Sequence, residues 1–338
     1  MTEALLATES IDVPGAPALP GLRFRRFRGP ADYQLMVDLA NLCSRADGDE
    51  WVSTLQNTAS FYEHPINFNP REDMLFAEVD GQLIAYGRSE WRQIEDGPRT
   101  YLHLGWVHPD WRGKGLGAAM LAWNENRLRQ VAAEQGYAGE KVFRAHGAEI
   151  NPGGLSLLEN AGYKVVRFGY DMVRDLTAPI EEAPMPEGLE IRPVTPDDYR
   201  AVWNADVEAF RDHWGYSEPT EADFQRWQAG MFFQPEIWKI GWAGDEVAGM
   251  VLNFIMHEEN RQRGVLRGYT EGISVRRAWR RLGLARALLT SSMLMFREMG
   301  MTEAALGVDA ENPNGALGLY ESVGFKVVRR GFTYEKPL

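Results

Sequence analysis

The chain is nearly without cysteine. Cys43 is the only one in 338 residues, which excludes an internal disulfide and leaves no thiolate cluster for a metal. Histidine is scarce too: His64, His103, His108, His146, His213 and His257 are scattered without ligand spacing, so no metal site is expected. Excess positive charge is also missing. Thirty-six Lys and Arg against 48 Asp and Glu give a net charge of −12, and a polyanion would be repelled, so no nucleic-acid partner is expected. The same balance suits a cationic small molecule. No apolar run approaches the roughly 20 residues that span a bilayer, so no membrane partner is expected. The start, MTEALLATES, has no basic stretch before an apolar one, and a cytoplasmic location is expected. Nothing in the composition bears on oligomeric state.

What the chain does have is length and repetition. At 338 residues it is too long for one ordinary core, and two domains are expected. The stretch TAPIEEAPMPEG, residues 177–188, is rich in Pro, Ala and Glu and reads as a linker. Residues 1–21, ending in VPGAPALPG, read as a tail. Between them the expected domains are 22–176 and 189–338. These repeat one another. At an offset of 168, Val107, Trp111, Arg112, Gly115, Leu116, Ala119 and Leu121 meet Val275, Trp279, Arg280, Gly283, Leu284, Ala287 and Leu289. GYKVVRFG from Gly162 matches GFKVVRRG from Gly324, and Arg26, Pro30, Asp32 and Tyr33 match Arg192, Pro196, Asp198 and Tyr199.

Each half predicts the same elements. A short strand leads to a helix opened by Pro-Ala-Asp or Pro-Asp-Asp. A hairpin follows, turning at Asp80-Gly81 or Gly244-Asp245. A further strand, a glycine turn, a long amphipathic helix, a strand, a short helix and a final strand complete the half. The fold class is α/β (α+β), two tandem mixed sheets flanked by helices.

The glycine turn carries the chemistry. VRRAWRRLGLARALL (residues 275–289) holds five arginines, and VHPDWRGKGLGAAML (residues 107–121) echoes it. Between a strand end and a helix start, several backbone N–H groups lack partners and the helix dipole adds about half a positive charge. Gly283 with Ala285, and Gly115 with Gly117, let an anion approach that backbone, and a diphosphate fits there. A lone Gly-x-Gly is weak evidence for this; two copies in register, each between a strand and a helix, are stronger. Neither copy is a Walker loop, because Gly113-Lys114 is followed by Gly115 rather than Ser or Thr.

Arg112-x-x-Gly115-x-Gly117 and Arg280-x-x-Gly283-x-Ala285 resemble the pyrophosphate motif of the GNAT superfamily of N-acetyltransferases. VDAENPNGALGLYESVGF, residues 308–325, is similar to its closing signature. The resemblance covers both halves, nearly everything after residue 21. It implies a GNAT-type mixed sheet in each half, acetyl-CoA as co-substrate, an amine acceptor, and direct transfer in a ternary complex. It implies that Ile273, Val275, Arg280, Arg281, Leu282, Gly283, Leu284, Ala285, Arg286 and Asn312 bind the cofactor in the second half. In the first, Val107, Arg112, Gly113, Lys114, Gly115, Leu116 and Gly117 are the matching positions. Arg280, Arg281 and Arg286 would add charge around the diphosphate.

Acetyl transfer needs a neutral amine and a stabilised leaving thiolate. Tyr320 stands where the family places the acid. Glu271, four residues before Val275, shares a strand face with Ile273 and Val275 on simple alternation, and is the candidate base or anchor for a cationic acceptor. The first half has Leu158 and His103 at these two places and is one residue shorter after its Asn-Pro, so it is expected to be a half that binds acetyl-CoA, or once did, without catalysing transfer. The second half is the expected catalytic domain. A different class remains open: an acyl-CoA sensor or scaffold with two degenerate domains. The acceptor is also open among a polyamine, an aminoglycoside-like amine, a peptide N-terminus and a sugar-inositol amine. His213, Trp214, Tyr216 and the neighbourhood of Asn253 are the places to look for it.

Overall fold

The protein is described by a computed structural model that covers residues 10–312 and 315–338. The chain forms two compact units. The first comprises residues up to Val166 together with Phe332–Leu338, and the second is Arg167–Gly331. The division therefore does not fall at residues 177–188. That segment is held by the second unit, where the Ala183 N–H donates to the Thr290 hydroxyl and Ile180 and Met185 pack on the core.

In the first unit, β1 (Leu22–Arg25) leads through a 3-10 turn into α1 (Tyr33–Asp47), followed by α2 (Leu55–Glu63). The hairpin is β2 (Met74–Val79) and β3 (Gln82–Gln93); Asp80 and Gly81 both take positive φ, the geometry a two-residue turn demands. Then come β4 (Arg99–Val107), α3 (Leu116–Gln135), β5 (Lys141–Ala148) and α4 (Pro152–Asn160). The sheet runs in the order β1-β2-β3-β4-β5 with the chain's last strand beside β5. β4 and β5 pair in parallel, and β1 to β4 pair antiparallel. That last strand is secured by Tyr334, 1% exposed, by Glu335 against Arg144, and by Lys336 against Glu125.

The second unit repeats the plan. It contains β7 (Glu190–Arg192), α5 (Tyr199–Phe210), α6 (Glu221–Ala229), β8 (Lys239–Ala243), β9 (Glu246–Phe254), α7 (His257–Arg263), β10 (Arg267–Val275), α8 (Leu284–Glu298), β11 (Glu303–Asp309) and α9 (Ala316–Ser322). Thr195 and Thr220 each close a capping box with the Asp three residues on, which fixes where the first two helical segments begin. On the other side of β11 from β10 lies β6 (Lys164–Asp175). Its residues Gly169–Asp175 pair antiparallel with Asp309–Glu303 of β11. The final strand, β12 (Lys326–Pro337), begins in the second unit and ends in the first. Phe296, Leu288, Leu289 and Met293 of α8 bury their side chains against the sheet.

Candidate active site

The site is built where two parallel strands stop pairing. β10 and β11 are matched only at Arg267–Tyr269 with Glu303–Ala305. Beyond that point they part, and a cavity of about 570 Å³ opens between them. Glu271 spans the opening: the Gly307 N–H of β11 donates to its Oε1 at 2.8 Å.

On its other edge β10 is irregular. Its register against β9 slips between Glu271 and Ser274, and Gly272 sits at φ +54°. The bulge corrects the simple alternation from which Glu271, Ile273 and Val275 were expected on one face. An extra residue reverses the pleat, and all of Glu271–Val275 reach the cavity wall. Glycine is required here, since a Cβ on Gly272 would lie 2.9 Å from Leu252 Cδ1. The signal was a glycine inside a strand pattern, TEGIS, where the first half has Leu104.

At the end of β10 the chain makes the anion turn. Arg281 and Gly283 have φ of +65° and +93°, and Gly113 and Gly115 reproduce the turn at +71° and +84°. An arginine thus holds a conformation that costs a non-glycine residue roughly 1–2 kcal/mol. No side chain caps α8; its first internal bond is Ala287 N–H to the Gly283 carbonyl. The N–H groups of Leu284, Ala285 and Arg286 therefore have no acceptor within the helix. Gly283, Leu284, Ala285 and Arg286 line the cavity, as do Ile273, Val275, Arg280, Arg281, Asn312 and Tyr320. Leu282 is not in the wall and is 58% exposed.

Arg280, in the cavity wall, also ties down the surrounding backbone. Its guanidinium donates to the Val275 carbonyl, the Ala209 carbonyl and Asp212, at 3.0, 3.1 and 3.0 Å. Arg112 repeats this with the Val107 carbonyl and Asp47. In both units this arginine pins the strand end and the turn to the first helix. Arg277 joins Arg280 on Asp212, and the two hold its carboxyl down at about 2. Arg286 donates to the Ser322 hydroxyl.

Glu271 and Tyr320 line the same cavity, and the Glu271 charge bears on Tyr320. Burial pushes the Glu271 carboxyl up to about 7; the Gly307 N–H pulls it down and Asp171 adds to the rise. Burial, and then the Glu271 charge, raise the Tyr320 phenol far above its ordinary range, so it keeps its proton. Its ring packs edge-on to Phe325, with centroids 6.3 Å apart. Phe210 and His213 complete the wall on the α5 side. Trp214 is exposed under Arg167, and Tyr216 donates to Glu218 on the surface. Asn253 is fully buried and donates to the Ile237 carbonyl and Ser292, so it belongs to the core.

The first unit has a smaller opening. β4 and β5 pair only to Leu102 and Arg144, and the cavity beyond is about 170 Å³. Val107 and Gly117 touch it; Arg112, Gly113, Lys114, Gly115 and Leu116 do not. Leucines occupy the space instead. Leu157 Cδ2 is 3.3 Å from where a Gly117 Cβ would stand, and Leu155 Cδ2 is 2.5 Å from that of Gly147. Leu158 is buried in the place corresponding to Tyr320. His103 lies 2.7 Å from the Tyr163 hydroxyl, which donates to Glu125. Burial lowers His103 to about 4, so it is neutral at physiological pH. Among the described residues no cluster of three His, Cys, Asp or Glu could hold a metal, and no helix is long and apolar enough to cross a membrane.

The geometry has parallels among known proteins. The acetyltransferase (GNAT) family model matches residues 36–150 and 199–325. The chain is 31% identical to a mycothiol acetyltransferase of Thermobispora bispora, over 88% of this chain and 93% of that one. It is 30% identical to a mycothiol acetyltransferase of Streptomyces scabiei, over 91% of each. Its fold is similar to a GCN5-related N-acetyltransferase from Sphaerobacter thermophilus, with a TM-score of 0.72, 26% identity, and coverage of 95% and 96% of the two chains. A tandem GNAT protein from the clavulanic acid biosynthesis pathway shares the fold at a TM-score of 0.65 and 16% identity, over 94% of this chain and 98% of that one.

Proposed function

The chain belongs to the acetyltransferase (GNAT) family, and from that premise we propose that its second unit transfers acetyl from acetyl-CoA to the amine of a small molecule. The chain is an N-acetyltransferase; which unit works, and by which groups, is the proposal. The carrying observation is that Glu271 and Tyr320 share one cavity whose far end is an uncapped helix start.

The N–H groups of Leu284, Ala285 and Arg286 hold the diphosphate, with Arg281 and Arg286 adding charge. The β10 edge at Ile273 and Val275 takes the pantetheine arm as an added strand would be taken. The amine attacks the thioester carbon directly, forming the C–N bond as the C–S bond breaks. Glu271, near neutrality, is half ionised at pH 7 and takes the proton that the amine nitrogen loses. Tyr320 keeps its proton until sulfur develops charge, and delivers it to the leaving thiolate. The proton balance closes when Glu271 returns its proton through solvent to the phenolate. The first unit, with a neutral, hydrogen-bonded His103 and Leu158, is the non-catalytic half.

The relatives' name makes the amine form of mycothiol the first acceptor to try. A thiol-release screen with acetyl-CoA, covering that amine, polyamines, amino sugars and peptide N-termini, tests the reading. Release that needs both an amine and Glu271 supports it. Release unchanged in Glu271→Ala but lost in His103→Ala would move the chemistry to the first unit.

A further inference from the structure

Inward-facing carboxylates in this chain generally have a basic partner. Asp32 has Arg25, Asp73 has Arg127, Glu125 has Lys336 and Glu259 has Arg263. Asp206 on α5 has none among the described residues. Its one hydrogen bond there comes from the Ser274 hydroxyl at 3.1 Å. Ser274 is buried, lines the cavity, and is the residue just past the β10 bulge. Three and four residues beyond Asp206 on the same side of α5, Ala209 and Phe210 line that cavity as well, and His213 joins them from the turn after the helix. Burial pushes the Asp206 carboxyl up to about 7, with Ser274 pulling it down. Glu271 and Asp206, two carboxyls near neutrality, thus attach at opposite ends of one bulge.

A purely structural tie between α5 and β10 would not need this. Burying a carboxyl without a counter-charge is costly, and a neutral side chain would hold the helix more cheaply. The first unit does so: the repeat places Ala40, 1% exposed, and Trp106 where the second has Asp206 and Ser274. Only the unit that carries Glu271 and Tyr320 carries the extra acid.

We propose that Asp206, presented by Ser274, is a specificity-determining residue that accepts a hydrogen bond from a second donor group, hydroxyl or ammonium, of the amine acceptor. This rests on the reading of the second unit as the transferase. The amine that reacts lies at Glu271, and the second donor lies on the α5 side of the bulge. An acceptor with one amine and no other donor leaves Asp206 unsatisfied.

The probes are n-butylamine, 4-amino-1-butanol and 1,4-diaminobutane with the full chain and acetyl-CoA. Wild type is expected to prefer at least one of the two bifunctional amines over n-butylamine in kcat/KM by about tenfold to a hundredfold, the range for a hydrogen bond to a charged group. In Asp206→Asn that preference collapses through KM, with kcat and the n-butylamine reaction nearly unchanged; Ser274→Ala loses part of it. Loss with the diamine alone identifies an ammonium, and loss with both identifies a hydroxyl-competent donor site. A wild type that does not discriminate, or an Asp206→Asn variant that keeps the preference, overturns the proposal. Calorimetry of the two bifunctional amines on coenzyme A-loaded protein gives the same comparison without turnover. If none of the three amines is acetylated, the binding difference still decides Asp206, and the transferase reading is decided separately by the wider thiol-release screen.

Discussion

Replacing Glu271 by Gln tests the proton path most directly. The amide is nearly isosteric, and its carbonyl oxygen can still accept the Gly307 N–H that bridges the two strands, so the opening should hold its shape. What disappears is a carboxylate held at about 7. Removing one positioned base lowers kcat/KM by roughly 10²–10⁴. The size of the loss should also depend on pH. With a value near 7, about a tenth of Glu271 is ionised at pH 6 and about nine-tenths at pH 8. The wild-type-to-variant ratio should therefore rise about tenfold across that interval and level off above it. The amine's own ionisation adds the same slope to both enzymes and cancels in the ratio. Thiol release at saturating acetyl-CoA, followed from pH 6 to pH 9, gives the profile. Stability provides a second readout with a defined sign. The folded carboxyl is raised above its unfolded value, so its favourable, protonated contribution is full at low pH and lost as pH rises through about 7. Glu271→Gln should melt progressively higher than wild type as pH climbs from 5 to 8. A ratio that stays constant from pH 6 to pH 8, or near unity throughout, would refute Glu271 as the base.

Three further outcomes follow from the same geometry. Tyr320→Phe keeps the ring against Phe325 and should leave coenzyme A affinity unchanged while turnover falls roughly 10²–10⁴-fold; full turnover would mean that another group protonates the thiolate. In calorimetry, Gly283→Val forces a branched side chain to φ +93° and should abolish the tight coenzyme A site, whereas Gly115→Val should spare it; the opposite pattern would place the tight site in the first unit. Deleting residues 332–338 removes a tyrosine 1% exposed and the partners of Arg144 and Glu125, and should destabilise the first unit by at least the ~3–5 kcal/mol lost with one buried aromatic, measured by urea unfolding.

Much of this was legible in the residues. The duplicated Arg-x-x-Gly turn announced two copies of one unit, and Asp80-Gly81 and Gly244-Asp245 marked the hairpins because few residues other than glycine, Asn and Asp tolerate positive φ. Glu271 and Tyr320, 49 residues apart in sequence, do meet at one cavity. Other features were hidden for physical reasons. The bulge at Gly272 depends on which strand pairs alongside, and alternation read from one strand misses it. That Arg280 is engaged by Asp212 and two carbonyls depends on where α5 ends, which no local pattern reveals. The exchange of final strands was invisible because Lys164–Gly169 and Lys326–Gly331 are near-copies: either sequence satisfies either sheet edge. The leucines that fill the first opening look, in sequence, like those of the second.

That exchange sets a timetable for synthesis. A ribosome delivers residues in order, yet the earlier unit takes its closing strand from residues 332–338, which are made after the whole of the later unit. Until those residues are made its β5 edge therefore stays open, the state in which a strand recruits whatever extended chain is nearby. The later unit is the first to have all its parts, since its outermost strand, residues 167–175, is already synthesised when β11 emerges. Folding should thus finish backwards, with the amino-terminal half sealed last, once residues 332–338 are available. A gene split at residues 177–188 would deny each fragment the strand it borrows.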